Sequence, residues 1–200
     1  RNKTRASKKE TLLWLSGQDA YTLHRIKLQK FSRRKTMVQG MNIQWQLDLV
    51  DMKKYARYNS NYKYLLTAID VFSRYAHIVP LKKKTGTELV RALKKILFSQ
   101  QPVRLQVDKG AEFYNIDVRT FLAKRNIALF STYNETKAAM VERFNRTLKE
   151  RMFRYFTKKR TYKYLDILNN LVTGYNNSVH RITKMKPADV NKENEGDLWK

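Results

Sequence analysis

From residue 44 onward, the apolar and polar positions divide the chain into short strand-like runs and longer helical stretches. Short apolar runs bounded by turn residues predict strands, and apolar residues that recur every three or four positions predict helices. The predicted strands are Gln44–Met52, Tyr64–Phe72, Tyr75–Leu81, Val103–Val107 and Ile127–Phe130. The predicted helices are Thr85–Ser99, Asn115–Arg125, Ala138–Thr157 and Tyr162–His180. Strands that begin as a meander and then alternate with helices indicate an α/β fold, with helices flanking a mixed five-stranded sheet.

The N-terminal segment, residues 1–40, differs from the rest of the chain in its charge. It contains 11 Lys and Arg residues and only two acids, Glu10 and Asp19. Within it, Glu10–Ser16 is predicted to form a short amphipathic helix. A basic segment of this kind is typical of an arm that contacts a polyanion, and a solvated tail has the same composition. We expect a basic helical extension at residues 1–40, a core domain at 41–190 and a C-terminal tail at 191–200.

The whole chain carries 42 Lys and Arg residues against 17 Asp and Glu residues, which gives a formal net charge of +25. So large a charge opposes compaction and favours a polyanionic partner, for which DNA or RNA is the first candidate. An anionic membrane is the rival, but no apolar stretch reaches the roughly 18 residues that a membrane span needs. The absence of cysteine excludes disulfides and thiolate zinc sites. The chain begins with Arg1 rather than Met, so we expect a fragment of a longer protein.

Three carboxylates stand in or beside apolar runs. Asp48 lies inside the first predicted strand, Asp108 ends the fourth, and Glu142 lies on the third predicted helix. A lone carboxylate in such surroundings costs several kcal/mol unless a cation or hydrogen bonds satisfy it. Each acid has a structural alternative: bonds to backbone donors for Asp48, a turn cap for Asp108, and a surface ion pair for Glu142. We expect Asp51 to be structural and Glu112 to play a supporting role.

Together, the three acids fit catalysis by two divalent metal ions. Such ions, about 3.5–4 Å apart, are held by carboxylates and act on the attacking and leaving oxygens of a phosphodiester. Carboxylate ligands favour Mg²⁺, with Mn²⁺ as a substitute. We expect two ions in the site when DNA is bound. The sequence has no glycine-rich phosphate loop, so nucleotide hydrolysis is not expected.

Four separated blocks, in order, resemble the catalytic core of DDE-type integrases. These blocks are Trp45–Asp48, Ala68–Tyr75, Asp108–Phe113 and Ser131–Lys149. The third block has the family's Asp-x-Gly-x-Glu-Phe pattern around its second catalytic Asp, and the last resembles the loop and helix that bear its catalytic Glu. The resemblance covers about residues 41–190. It implies an RNase H-like fold in which Asp48, Asp108 and Glu142 are the catalytic and metal-binding residues.

Within this family, the chain is similar to integrases of Polinton (Maverick) self-synthesising DNA transposons. The similarity lies in the stretches LLWLSGQDAYTLHR, YNETKAAMVERFNRTLKERMFRYF and MKPADVNKENE. Two features depart from the wider family. Only 33 residues separate Asp108 from Glu142, slightly fewer than in the retroviral pattern, and a shorter loop would accommodate this. A chain without cysteine also lacks the ligands of the family's His/Cys zinc-binding domain, so it resembles a core with an N-terminal linker.

The resemblance implies two reactions at one site. Water first trims the 3′ ends of the element DNA, and the new 3′-OH then attacks a phosphodiester of the target DNA. By position, it implies DNA contacts from Tyr133, Asn134, Lys137, Asn145, Arg146 and Lys149. It further implies a homo-oligomer, dimeric or larger, that bridges two DNA ends, with a nuclear location and no membrane association. Two alternatives stay open: a domesticated DNA-binding protein without catalysis, and an RNase H-like nuclease.

Overall fold

The computed structural model describes residues 7–18, 36–108, 110–131 and 138–198. The chain forms two compact units, Arg1–Arg33 and Arg34–Lys200. In the first unit, helix α1 spans Lys8–Ser16, close to the predicted helix. It begins with a capping box, in which Ser7 Oγ accepts from the Glu10 N–H at 3.2 Å and the Glu10 carboxylate accepts from the Ser7 N–H at 2.7 Å.

The second unit is built on a mixed five-stranded sheet, as the pattern predicts. Its strands are β1 Gln44–Asp51, β2 Tyr64–Asp70, β3 Ala76–Leu81, β4 Arg104–Gln106 and β5 Ala128–Phe130. Their order in the sheet is β3-β2-β1-β4-β5. Strands β1, β2 and β3 pair antiparallel, whereas β1, β4 and β5 pair parallel. Strand β1 therefore joins the antiparallel half to the parallel half.

Helices cover both faces of this sheet. The longer ones are α2 Gly86–Ile96, α3 Ile116–Ala123, α4 Ala139–Lys159 and α5 Leu165–Asn176, followed by the short α6 Glu195–Leu198. Helices α2 and α3 share one apolar cluster with the sheet, and α4 and α5 share a second cluster on the opposite face. Within the described ranges, no helix is long and apolar enough to cross a membrane.

Strand β1 sends alternate side chains to the two clusters, as a pleated strand does. Trp45 and Leu47 are fully buried in the cluster with α2 and α3, and Val50 is buried in the cluster with α4 and α5. Gln46 faces α4 as well, because its side chain accepts hydrogen bonds from the backbone of that helix. Asp48 lies between Gln46 and Val50 in this alternation, so the strand directs it towards α4.

Described residues outside the predicted core also take part in the packing of the second unit. Val38, which precedes the predicted core, is buried. The Met41 N–H donates to Glu195 Oε1 at 2.7 Å, which ties a residue of the predicted tail to the start of the core. Met41 and Glu195 are 154 residues apart, and the local sequence pattern does not predict a hydrogen bond between residues so distant.

Asn176 covers the outer edge of strand β3. Its Oδ1 accepts from the Ala76 N–H and its Nδ2 donates to the Ala76 carbonyl, both at 2.9 Å. The amide thus pairs with both backbone groups that an edge strand would leave open. Its neighbour Asn177 is exposed, and its Nδ2 donates to the Thr173 carbonyl at 2.9 Å within the same helix end.

This pair of neighbours gives a matched stability test. Asn176→Ala leaves a buried N–H and a buried carbonyl of Ala76 unpaired, so we expect a loss of about 2–3 kcal/mol in the free energy of unfolding. Asn177→Ala removes an exposed local bond, and we expect a loss below about 1 kcal/mol. Urea denaturation of both variants measures the difference. Equal losses would contradict the edge-covering role of Asn176.

Candidate active site

Asp48 is half-buried between strand β1 and helix α4, and it makes two short hydrogen bonds. Its Oδ1 accepts from the Leu49 N–H at 2.7 Å, and its Oδ2 accepts from Asn145 Nδ2 at 2.7 Å. Burial raises the pKa of Asp48, and the nearby Asp108 charge raises it further. The two hydrogen bonds and the Lys149 ammonium act in the opposite direction without cancelling the rise. Asp48 is thus a carboxylate whose negative charge is incompletely compensated.

Asp108 lies near Asp48 because strands β1 and β4 pair in parallel. Gln46 is paired with Gln106 in that register, so Asp48 and Asp108 each lie two residues further along neighbouring strands. Asp108 is exposed, and its carbonyl accepts from the Gly110 N–H at 2.7 Å in a tight turn. Side chains at the carboxyl ends of parallel strands meet at one edge of the sheet, which is where open sheets bind ligands.

The turn after Asp108 is packed closely against Glu112. A Cβ atom on Gly110 would lie 2.8 Å from the Glu112 carboxyl group, so this position accepts only glycine without a shift of Glu112. Glu112 also pairs with Lys84, with 3.0 Å between Nζ and Oε1. Burial opposes ionisation of Glu112, but its own backbone N–H and Lys84 outweigh burial and lower its pKa. Glu112 thus lies against the turn that presents Asp108, and its supporting role stays a prediction.

Helix α4 is anchored to β1 at its first turn. No side chain of its own caps it, and Gln46 Oε1 instead accepts from the Met140 and Val141 N–H groups at 2.9 and 3.2 Å. Gln46 Nε2 donates to Gln106 Oε1 at 2.9 Å, and Gln44 Nε2 donates to the same oxygen at 2.8 Å. This buried glutamine network fixes α4 against the two strands that carry Asp48 and Asp108.

The sequence pattern alone did not single out these three glutamines as part of the site. The signal was present, because polar Gln44, Gln46 and Gln106 interrupt runs that are otherwise buried. A buried amide needs partners, and a helix start without its own cap supplies them.

The structure brings two of the three predicted acids together. Glu142 lies in the first turn of α4 and is exposed. Among residues 7–18, 36–108, 110–131 and 138–198, no three His, Cys, Asp or Glu side chains are grouped so that they could hold a metal ion. The carboxylates of Asp48 and Asp108 do fit a hard divalent cation, because adjacent oxygens of like charge are stabilised by one.

The three DNA contacts expected on helix α4, Asn145, Arg146 and Lys149, differ in their surroundings. Asn145 is only 6% exposed, and its Nδ2 is bound to Asp48, so this side chain orients the carboxylate. Asn145 Oδ1 is buried without a partner in the described part of the chain. Arg146 is exposed, and Lys149 is half-buried within electrostatic reach of Asp48. The other predicted DNA contacts, Tyr133, Asn134 and Lys137, lie outside the described residues.

Known proteins with similar sequences point to one family. Residues 39–132 match the integrase core domain family. A transposon-derived protein of Caenorhabditis elegans is 41% identical over 143 residues, which are 70% of this chain and 50% of that protein. The Gag-Pol polyprotein of avian reticuloendotheliosis virus is 29% identical over 53% of this chain and 9% of its own length. Over these residues, the chain is similar to integrase cores and to a transposon-derived protein. The chain spans at most half the length of these relatives.

Solved structures confirm the RNase H-like fold. A chain of the simian T-cell lymphotropic virus intasome in complex with PP2A regulatory subunit B56 gamma superposes with a TM-score of 0.70 at 20% identity, covering 94% of this chain and 68% of that one. The catalytic core of bovine immunodeficiency virus (BIV) integrase superposes with a TM-score of 0.62 at 18% identity, covering 80% and 99%. The HTLV-2 integrase core in complex with magnesium gives 0.61 at 22% identity, covering 74% and 95%. At these identities the likeness establishes the fold.

The two aspartates of strand β1 predict opposite pH effects. The raised pKa of Asp48 means that the folded chain holds this proton more tightly than the unfolded chain, so stability is lost as pH rises above about 3.8. Burial opposes ionisation of Asp51 too, but the Lys53 N–H and ammonium outweigh it and lower the pKa, so Asp51 adds stability that is lost as pH falls below about 3.8. In chelator, the stability of Asp48→Asn relative to the parent should rise as pH increases from about 3.5 to 7. The relative stability of Asp51→Asn should fall over the same range.

Urea denaturation of the parent and both variants across that pH range measures the two trends. Parallel curves for Asp48→Asn and the parent would show that the Asp48 carboxylate is not destabilised by its surroundings. Asp51→Asn is the contrasting variant, because Lys53 stabilises the exposed Asp51 carboxylate and the trend should run in the opposite direction.

Proposed function

We propose that this chain is the catalytic core of a DDE-type integrase, which carries out metal-dependent 3′-end processing and strand transfer of Polinton (Maverick)-like element DNA into target DNA. The observation that carries the proposal is the pairing of Asp48 with Asp108 at the edge of the sheet, next to Lys149. The integrase core homologues independently indicate the polynucleotidyl transferase superfamily. They also indicate that the reaction depends on a divalent metal.

The side chains around Asp48 have separable roles in this proposal. Asp48 and Asp108 would hold Mg²⁺, with Glu142 as a third ligand from helix α4. Bound divalent ions would activate the attacking oxygen and stabilise the leaving oxygen of the phosphodiester. The Asn145 amide keeps one Asp48 oxygen in a fixed direction. Lys149 lies where its ammonium can bind a phosphate beside the carboxylate pair.

The partners follow from charge and family. DNA is the proposed substrate, both as element ends and as target, because a net charge of +25 favours a polyanion. Arg146, together with Tyr133, Asn134 and Lys137, completes the proposed contacts to the element ends. Two DNA ends must be joined in one event, so we propose a homo-oligomer of dimeric or larger size that acts in the nucleus.

A domesticated DNA-binding protein without catalysis is the second candidate. Two observations favour it: Glu142 is not grouped with the other acids in the described residues, and a similar protein of Caenorhabditis elegans is described as transposon-derived. Retention of Asp48, Asp108 and Glu142 in the family's pattern favours an enzyme. An RNase H-like nuclease has the same fold, and an RNA–DNA hybrid substrate would distinguish it.

Glu142 is the acid on which the two candidates differ most. We predict that Glu142→Gln lowers Mg²⁺-dependent joining of labelled element-end DNA at least about 100-fold, because even an outer-shell partner of a metal site contributes 10–100-fold. Glu150→Gln is the matched control, since Glu150 is exposed on the same helix two turns further on. Gel analysis of trimmed and joined products measures both steps.

The same assay separates the candidates. DNA binding without Mg²⁺-dependent joining by the parent would support the domesticated protein. Equal joining by the Glu142→Gln and Glu150→Gln variants would remove Glu142 from the catalytic set. Preferential cleavage of an RNA–DNA hybrid would support the nuclease.

A further inference from the structure

Arg74 occupies an unusual position in the turn between β2 and β3. Its φ is 67°, a left-handed conformation that costs a residue with a side chain about 1–2 kcal/mol. Its side chain is largely buried, the guanidinium contacts Met140 Sδ, and Nε has no hydrogen-bond partner in the described part of the chain. The nearby Asp70 carboxylate is engaged elsewhere, since it accepts from the Ser73 N–H and hydroxyl at 2.9 and 2.6 Å. A buried arginine with an open donor is suited to an anion.

Two more arginines, Arg143 and Arg151 of helix α4, lie near Tyr175. The Tyr175 ring packs edge-on against Phe144, with 4.8 Å between centroids, and Arg143 precedes Phe144 in the helix. Arg151, two turns further along that helix, has Nη1 3.9 Å from where a Cβ atom on Gly174 would lie. Arg151 thus lies beside helix α5 one residue before Tyr175.

The electrostatics of the neighbouring groups agree with this placement. Burial raises the pKa of Tyr175, and the charges of Arg74, Arg151 and Arg143 oppose that rise. Burial lowers the pKa of His180, and Arg74, Arg143 and Arg181 lower it further. Four guanidinium groups therefore act on one pair of side chains.

Among the described residues, no salt bridge joins an acid to any of these four arginines. The ion pairs found there are Lys53–Asp51, Lys84–Glu112, Arg91–Glu88 and Lys186–Asp189. The Asp70 charge acts on Arg74, and its carboxylate accepts hydrogen bonds from Ser73. Guanidinium groups that converge in excess over carboxylates match the planar, bidentate recognition of phosphate.

The cluster lies on a different side of helix α4 from the candidate active site. An α-helix turns about 100° per residue, so Arg143 and Arg151 lie about 120–160° around the axis from Asn145 and Lys149. One flank of α4 faces Asp48, and the other faces Tyr175 on helix α5. A phosphate bound among the arginines would belong to another segment of nucleic acid than one bound at Asp48.

We propose that Arg74, Arg143, Arg151 and Arg181 form a phosphate-binding site around Tyr175 and His180, which takes a backbone phosphate of a second DNA segment. The choice of DNA as the source of the phosphate rests on the proposed function. The site itself rests on the convergence of guanidinium groups that form no salt bridge among the described residues.

The test is the salt dependence of DNA binding, measured in chelator by fluorescence anisotropy with a labelled duplex. Arg143→Gln/Arg151→Gln should bind at least about 10-fold more weakly at 0.1 M salt, and its slope of log affinity against log salt should be smaller by about 1, because one phosphate contact is lost. The matched control is Lys94→Gln/Arg119→Gln, which removes two exposed charges from helices on the other face of the sheet. The control should lose less than about 3-fold and keep the parent slope.

Equal losses in the two double variants would overturn the site, because net charge would then account for the effect. Arg143→Lys/Arg151→Lys keeps both charges but loses the planar donor pairs, so we expect intermediate binding; parental binding by this variant would overturn bidentate recognition. Thermal unfolding with inorganic phosphate provides a reading without DNA: the parent should be stabilised more than Arg143→Gln/Arg151→Gln. Equal stabilisation would count against the site.

Two further outcomes separate this site from the proposed function. If the parent fails to join DNA but the cluster variant still shows the selective loss of binding, the catalytic proposal fails and the phosphate site stands. If the parent joins DNA and the cluster variant binds like the control, the site fails and the catalytic proposal stands. Binding of a poly-glutamate peptide as tight as that of DNA of equal charge would overturn the choice of phosphate.

Discussion

The attachment of helix α4 to strand β1 is the constraint on which the rest of the site depends. Gln46 caps the first turn of the helix with two hydrogen bonds, and Asn145 binds Asp48 one helical turn further along, so three bonds fix the helix along the strand. Gln46 and Asp48 lie on the same face of β1, because they are two residues apart in the strand. Without this attachment, Asp48 would be a destabilised carboxylate beside Asp108, and Lys149 would have no fixed position relative to it.

The local pattern predicted the order of strands and helices, and boundaries differ by a few residues. The strand predicted at Gln44–Met52 ends at Asp51, and the helix predicted at Tyr162–His180 spans only Leu165–Asn176. The late start has a physical cause: Asn59 Oδ1 accepts from the Tyr164 N–H at 2.7 Å and holds that residue before the helix. A bond between residues so far apart in sequence leaves no local signal.

The candidate site was predictable in its acids and less so in their partners. Asp48 interrupts an apolar run and Asp108 ends one, and the parallel register brings them together. Asn145 shares a helical face with Glu142 by spacing, yet the structure buries it, because residues three apart differ by about 60° around the axis. That angle is enough to separate an exposed acid from a side chain that meets the strand. Helix α4 thus carries the proposed chemistry on one flank and the proposed phosphate cluster on the other.

A crystal structure of the chain soaked with Mn²⁺, with anomalous scattering recorded to locate the metal, tests the central claim most directly. We predict a metal peak between the carboxylates of Asp48 and Asp108, with the Asn145 amide still bound to Asp48. A saturated crystal with no metal at this pair, or with metal bound elsewhere and Asp48 held only by Asn145 and the backbone, would contradict it.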